Sequence, residues 1–249
     1  MKMNHRLSAI VVLFAASSCL LQAQIPGATG APLNRAMVKL FGNHTNFTAT
    51  TEMRVLDSAR TETVSAVLTL AMLDGKMRAE TDMSKMKNVM LTPELITQMK
   101  DMGADRTVFI SRPDKKVTYL AYPGLNIYLE QAMSADDAEG SGKEAKVVKT
   151  VLGKETVGGH PCEKSKVVVT DDKGKTQDAI VWNATDLQGF PVQMETTEKD
   201  STVVLKYSDV KLAKTDVKQF EPPTGATRYT SMGQLQTAMM QRMLEKATK

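Results

Sequence analysis

Residues 179–223 have the sequence AIVWNATDLQGFPVQMETTEKDSTVVLKYSDVKLAKTDVKQFEPP, and this stretch decides the fold. Gly189-Phe190-Pro191 separates a first extended run, which contains the single tryptophan, from a second one. Lys199-Asp200 forms a polar turn, and a third extended run then continues to the Pro222-Pro223 stop. Three extended runs joined by short turns predict an antiparallel meander, which builds a sheet and supplies no catalytic group by itself.

The same strand pattern is found before this stretch. Apolar and polar side chains alternate over residues 46–55, 64–72 and 76–83, which is typical of strands with one buried face. Asp74-Gly75 is a hairpin sequence between the second and the third of these strands. Further strands are predicted over residues 106–112, 116–122, 126–131, 147–157, 163–170 and 177–182. Together these strands predict a largely antiparallel sheet in an α+β fold.

Three helices are predicted around this sheet. The first covers residues 31–41, whose apolar stripe ends at Gly42. The second covers residues 92–102, because Thr92 suits the cap and Pro93 suits the first turn. The third is an amphipathic helix over about residues 230–247. Its apolar stripe consists of Met232, Leu235, Met239 and Met243.

The first 23 residues have the pattern of a secretory signal peptide. Lys2 and Arg6 form a basic start, and residues 7–21 form an apolar segment that is short for a membrane span. Cleavage is predicted after Ala23, which leaves residues 24–249 as a single domain. Loss of the two cations lowers the net charge from +4 to +2, so the composition indicates no nucleic-acid partner.

Export to the periplasm is therefore predicted. Cys19 leaves open the alternative of a lipid anchor, although Ala16 stands where a lipobox usually has leucine. Once Cys19 is removed, Cys162 has no partner for an intramolecular disulfide, so the domain depends on its core. No later apolar stretch approaches the length of a transmembrane helix.

Few residues could support catalysis. Outside the signal peptide the histidines are His44 and His160, and neither stands beside a recognisable nucleophile and acid. His160-Pro161-Cys162 offers two metal ligands where zinc needs three or four, so it is interpreted as a turn before a strand with a half-buried thiol. No glycine-rich phosphate loop is present. The sequence therefore predicts a protein that is not an enzyme and that uses no cofactor and no metal.

Methionine is the unusual feature of the composition, with 17 residues. Met83, Met86 and Met90 have a spacing that suits Cu(I), so a methionine-rich copper binder is one alternative. Methionine also fills apolar cavities that adapt to different ligands, and this interpretation fits its inward positions on the predicted strands better. A dry core without a cavity is a third possibility.

A series of short motifs runs through most of residues 24–249. The motifs are Arg106–Tyr122 with Tyr128, Gly158–Lys164, Trp182, Gly189-Phe190-Pro191, and Val203–Asp209 running to Phe220-Glu221-Pro222-Pro223. In this order they resemble the bacterial LolA/LolB-like superfamily of exported lipoprotein and lipid carriers, and more closely a related exported family of unknown function. The resemblance implies a curved antiparallel sheet that forms an open half-barrel, with helices over its apolar concave side. The long methionine-rich terminal helix departs from that pattern.

The resemblance also implies a function, which is binding of an acyl chain, a lipid or an acylated protein in the half-barrel cavity. The helix over residues 92–102 is the candidate lid. The candidate lining residues are Leu68, Leu70, Met72, Met77, Leu95, Met99, Phe109 and Tyr119. The alternative is an envelope protein–protein interaction module with a dry core, whose marker is an exposed apolar stripe on the last helix.

Overall fold

The computed structural model contains one extensive sheet and three helices. It describes residues 35–88, 92–134, 146–170, 174, 176–198 and 200–247. The strands are β1 (Asn46–Leu56), β2 (Glu62–Leu73), β3 (Lys76–Asp82), β4 (Lys87–Asn88), β5 (Arg106–Arg112), β6 (Val117–Tyr122), β7 (Ile127–Ala132), β8 (Lys146–Val157), β9 (His160–Thr170), β10 (Thr176–Ala184), β11 (Phe190–Glu198), β12 (Ser201–Lys211) and β13 (Thr227–Tyr229). The helices are α1 (Arg35–Lys39), α2 (Pro93–Met102) and α3 (Met232–Ala247). The predicted signal peptide, Cys19 and Met90 lie outside the described residues.

Within the described residues all 13 strands belong to one sheet. Its path is β13-β7-β6-β5-β3-β2-β1-β12-β11-β10-β9-β8, with β4 beside β2. The pairings are antiparallel except that of β13 with β7. The end strands β13 and β8 do not pair with each other, so the sheet is open. An open, mostly antiparallel sheet with a few helices confirms the predicted fold class.

The connection between β7 and β8 indicates that this sheet curves. The two strands are consecutive in sequence, but the sheet path between them crosses ten strand spacings. A flat sheet would separate them by about 48 Å, since neighbouring strands lie about 4.8 Å apart. Residues 133–145 connect them through the 14 Cα–Cα steps from Ala132 to Lys146, which reach at most about 46–50 Å. A flat sheet would thus require a fully stretched connection, whereas a curved sheet, as in an open half-barrel, brings β7 and β8 closer together.

The helices cover one face of the sheet, which we call the inner face. The first core on this face is the buried cluster formed by α1, β1–β3 and β9–β12. Its centre is aromatic, because the Phe47 ring lies 4.8 Å from that of Phe41 and 5.0 Å from that of Phe190. Tyr207 joins them, with its ring 5.4 Å from that of Phe41. This packing fixes α1 against the sheet.

The second core lies further along the inner face, over β6, β7 and β13. Ile127 and Leu129 of β7 are its floor, and Leu235 and Met239 of α3 are buried against them. The predicted stripe of the last helix is therefore packed on the sheet, at least over Met232, Leu235 and Met239. None of the helices in the described part of the chain has the length and apolar content needed to span a membrane.

A third cluster covers the outer face of the sheet. Val108 and Ile110 of β5 pack there beneath Phe220, which belongs to a 3₁₀ helix after β12. Arg112 is buried beside them and forms ion pairs with Asp114 and Glu221. This crossing segment closes the outer face over β5 and β6.

One local prediction is wrong. His160-Pro161-Cys162 does not form the turn, because Gly158 and Gly159 make it with φ values of 59° and 87°, and β9 already begins at His160. Cys162 pairs with Ala184 of β10 and is 3% exposed. The thiol is thus fully buried in the sheet, where a half-buried one was predicted.

Candidate functional site

One row of side chains crosses the inner face from the first core to the second. Leu70 pairs with Ala79, Ala79 with Phe109, Phe109 with Leu120, and Leu120 with Leu129. Directly paired residues of antiparallel strands point to the same side, so all five share the inner face. The row is buried at both ends but only half-buried at Phe109 and Leu120. The middle of the row is therefore covered less completely than its ends, and we call this part of the inner face the inner groove.

Hydroxyl groups flank this apolar floor. Thr81 pairs with Thr107 on one side of Phe109, and Ser111 pairs with Thr118 on the other. All four are half-buried on the inner face. The groove therefore has an apolar centre with polar margins, an arrangement that accepts a chain of methylenes and gives hydrogen-bond partners to a polar group attached to it.

Helix α2 packs against the second core beside this region, and no residue of α2 is buried. Its apolar residues Leu95, Ile96, Met99 and Met102 are each half-buried. Three of them pack against the second core. An amphipathic helix normally buries its apolar stripe completely, because that burial provides most of its stability. The stripe of α2 thus leaves part of its apolar surface accessible.

Both ends of α2 are defined by local contacts. The Thr92 hydroxyl accepts a hydrogen bond from the Leu95 N–H at 3.2 Å, which confirms the predicted cap. Gly103 ends the helix in the left-handed region at φ 74°, as predicted, and the Ala104 N–H donates to the Met99 carbonyl at 2.8 Å. The Glu94 pKa is lowered, first by its own backbone N–H and then by the Thr92 hydroxyl. These contacts stabilise the helix itself without burying its stripe.

Tyr122 brings a phenol into the apolar region under α2. It follows Leu120 by two positions on β6, so it faces the same side, and it packs against the second core. Burial raises the pKa of Tyr122 to about 12, because the phenolate would lose its hydration. Tyr122 is therefore part of the apolar packing of the second core.

A pocket of about 510 Å³ adjoins the second core beside α3. Leu125 and Tyr229 contribute from the sheet side, and Ala238, Gln241 and Arg242 from the helix. Arg242 donates a hydrogen bond to the Leu125 carbonyl oxygen, which ties α3 to the turn between β6 and β7. Its lining combines apolar residues such as Leu125 and Ala238 with polar ones such as Gln241 and Arg242.

The eight candidate lining residues are distributed over three places. Leu68, Leu70, Met72 and Met77 are buried in the first core, and half-buried Phe109 packs against it. Leu95 and Met99 belong to α2 and contact the second core. Tyr119 pairs with Ile110, so it faces outward and belongs to the third cluster.

Tyr119 therefore does not line the inner groove, and its neighbour Leu120 does. The sequence of β6, Tyr119-Leu120-Ala121-Tyr122, is apolar on both faces, so alternation alone cannot assign the inner side. The register with Phe109 assigns it. Thr81 and Thr107 were also missed, because isolated threonines in strands give no signal of a groove margin.

The residues considered for chemistry are engaged in local structure. The His44 ring nitrogen Nε2 lies 3.2 Å from the Gln188 carbonyl oxygen, and His160 Nδ1 lies 2.8 Å from an Asp186 carboxylate oxygen. Burial is the largest influence on Cys162 and raises the pKa of its thiol. In the described parts of the chain, no three histidine, cysteine or acidic residues are grouped as a metal site. Met83 and Met86 begin and follow a 3₁₀ turn after β3.

No protein-family model matches the chain, and no curated protein matches it. Solved structures do match. A LolA superfamily protein from Nitrosomonas europaea is 11% identical over 76% of this chain and 94% of its own, with a TM-score of 0.33. The lipoprotein LppX from Mycobacterium tuberculosis is 11% identical over 71% of this chain and 93% of its own, with a TM-score of 0.37.

LprF from Mycobacterium bovis is 13% identical over 88% of this chain and 97% of its own, with a TM-score of 0.38. The LolA superfamily, which the sequence motifs resemble, is thus among the structural matches. The likeness is one of fold, at identities of 11–13%.

Proposed function

We propose that this protein binds the acyl chain of a lipid or of an acylated protein in the inner groove, with α2 as the lid. One observation carries the proposal: Leu95, Met99 and Met102 of α2 pack against the second core beside half-buried Leu120, and no residue of α2 is completely buried. A ligand between Met99 above and Phe109 with Leu120 below would complete the burial of both surfaces.

The energy of such binding comes from the burial of methylenes. Each buried methylene contributes about 0.8 kcal/mol, so an acyl chain of ordinary length offsets the cost of ordering it and the lid. Met99 and Met102 suit this role, since the unbranched thioether side chain adapts to ligands of different shape. The hydroxyls of Thr81 and Thr107 lie where the polar end of the ligand would leave the groove.

The proposal assigns carriage or sensing of the acyl group and no catalytic step. His44 and His160 hold turns in place, and the Cys162 thiol is buried in its neutral form, which is a poor nucleophile. The predicted signal peptide at residues 1–23 supports an exported location, where lipids and acylated proteins must cross an aqueous space.

The interaction-module alternative receives less support. Its marker was an exposed apolar stripe on the last helix, but Leu235 and Met239 of α3 are buried in the second core. A partner that bound this stripe would first have to separate α3 from β7. The inner groove needs no such rearrangement.

The test is a titration with a fluorescent fatty acid, combined with mass spectrometry of organic extracts of protein purified from its native envelope. We expect saturable binding near one probe per chain, and at least a roughly ten-fold loss on Leu120→Glu, because the new carboxylate would lose its hydration in the groove. The matched control is Val67→Glu, which adds the same charge at a position 39% exposed on the outer face.

Absence of binding would contradict the proposal. So would equal binding by Leu120→Glu and the parent protein, because it would place the probe elsewhere. Circular dichroism of both variants would show that the sheet is intact.

A further inference from the structure

The edge strand β8 is exposed along its whole length. It spans Lys146–Val157, and every residue of it is exposed except half-buried Val157. Four of these residues are large aliphatics: Val147 is 47% exposed, Val148 45%, Val151 57% and Leu152 54%. Single exposed aliphatics are common on protein surfaces, but four on one edge strand are unusual. By the register with β9, Val147 and Val151 share one face, and Val148 lies on the other.

The backbone of β8 is available on its outer side. Among the strands that the structure describes, β8 pairs with β9 alone and ends the sheet path. Alternate N–H and C=O groups along an edge strand point away from the sheet, which is a template for one more strand. A strand of 12 residues offers a long ladder of this kind.

A bulge places two lysines of β8, Lys149 and Lys154, on one face. The register with β9 shifts between Val151 and Gly153, so Lys149 lies opposite Val167 and Lys154 lies opposite Glu163. Positions 163 and 167 of β9 share a face, so the two lysines also share one. Lys149 forms an ion pair with Glu163 at 2.9 Å, and its side chain remains 43% exposed.

These lysines disfavour pairing of β8 with a second copy of itself. An antiparallel pair with full overlap would place Lys149 opposite Lys154 in both halves, and a parallel pair would place each lysine beside its own copy. Like charges at directly opposed positions destabilise a strand pair. The same lysines would attract acidic side chains on an incoming strand.

We propose that β8 is the docking edge for an extended segment of a partner protein in which acidic and aliphatic residues alternate. The backbone of the segment extends the sheet by one strand. Its acidic side chains face Lys149 and Lys154, and its aliphatic side chains on the other face contact Val148. This site is distinct from the inner groove, which lies toward the opposite edge of the sheet.

The test uses the full chain and a labelled peptide of about 10 residues in which glutamate alternates with valine. Fluorescence anisotropy should show saturable binding. A first control peptide, with lysine in place of glutamate, should not bind. A second control peptide is methylated on every second backbone nitrogen, on the side that pairs with β8. It should not bind either, because methylation removes the backbone hydrogen bonds between the two strands. Equal binding by either control peptide would overturn the proposal, and so would absence of binding by the glutamate peptide.

Two protein variants complete the test. Lys149→Glu combined with Lys154→Glu should weaken binding by roughly ten-fold, since two exposed ion pairs become two repulsive contacts. The control variant combines Lys211→Glu with Lys218→Glu. These substitutions change the net charge by the same amount at positions away from β8, so this variant should bind the peptide normally. A loss of the same size in both variants would show attraction by net charge alone and would overturn the strand-pairing proposal.

Discussion

Gly103 and Gly124 face each other with no room for a side chain between them. A Cβ atom on Gly103 would lie 2.7 Å from the carbonyl oxygen of Gly124, and one on Gly124 would meet the backbone of Gly103. Gly103 ends α2, and Gly124 lies in the turn between β6 and β7. The contact therefore holds the C-terminal end of the proposed lid to the sheet.

The first prediction concerns this contact. Gly124→Ala should destabilise the protein by about 1–3 kcal/mol, because the methyl group meets backbone that cannot move aside cheaply. Gly124 is not among the residues with positive φ, so the cost comes from the contact and not from backbone conformation. Urea denaturation would measure the loss, and hydrogen exchange should show it concentrated in α2.

Gly233→Ala is the matched control. A Cβ there meets nothing within 4 Å, and the residue lies in α3, where alanine is the better helix former. Its stability should be unchanged or slightly higher. Equal destabilisation by the two substitutions would show that the contact with Gly103 is not the cause.

A second prediction separates the core from the groove. Phe47→Ala should cost about 3–5 kcal/mol of unfolding free energy, since Phe47 is 0% exposed between Phe41 and Phe190. Phe109→Ala should cost clearly less, because Phe109 is only half-buried. The affinity for the fatty-acid probe should show the opposite order, because Phe109→Ala should lower it roughly ten-fold and Phe47→Ala should lower it less. Both variants are measured under conditions where they are folded. A larger binding loss at Phe47 would place the ligand in the first core.

A third prediction concerns acid stability at Arg112. Its Nε and Nη2 atoms donate to the two carboxylate oxygens of Asp114 at 2.9 and 2.8 Å. This guanidinium lowers the pKa of Asp114 to about 2. A carboxylate with a lowered pKa stabilises the fold fully above its unfolded pKa, near 3.9, and that stabilisation is lost as the pH falls through about 2.

The variant Asp114→Asn should therefore be less stable than the parent protein at neutral pH, and the difference in melting temperature should shrink between about pH 4 and pH 2. Thermal melts followed by circular dichroism over this range would measure it. A difference that stays constant down to pH 2 would mean that the carboxylate charge contributes nothing. The direct contact with Lys115 also lowers the pKa of Glu221, so Glu221→Gln should show a weaker version of the same trend.

Most of the sheet follows from local sequence rules. In β2, Val64, Ala66 and Leu68 alternate with exposed or half-buried residues, because one face of the strand is packed and the other is wet. The cap at Thr92 and the stop at Gly103 were equally predictable, since both depend on residues within one turn of the helix. Local signals are sufficient where the physical cause is local.

The inner groove depends on pairings between strands that are far apart in the chain. The sequence of β6 could not show that Leu120 faces inward and Tyr119 outward, because both faces of this strand are covered by apolar neighbours. Nor could it show that α2 buries its stripe incompletely, since that depends on how far the second core reaches under the helix. The composition of α2 is the same for a lid and for a fully packed helix.

A last prediction uses Tyr122 as a reporter of the groove. Burial raises the pKa of Tyr122 to about 12 from its usual value near 10, so the neutral phenol is favoured in the folded state. A group with a raised pKa contributes stability that is fully present below its unfolded pKa and is lost as the pH rises from 10 to 12. The variant Tyr122→Phe should lose less stability over this interval, and the difference in tyrosinate absorbance between the two proteins should titrate near pH 12.

An acyl chain in the groove would exclude more water from the phenol of Tyr122, so a saturating concentration of the fatty-acid probe should move this titration to higher pH. If the probe binds and the titration does not move, the chain does not lie beside Tyr122, and the groove between Phe109, Leu120 and α2 is not its site.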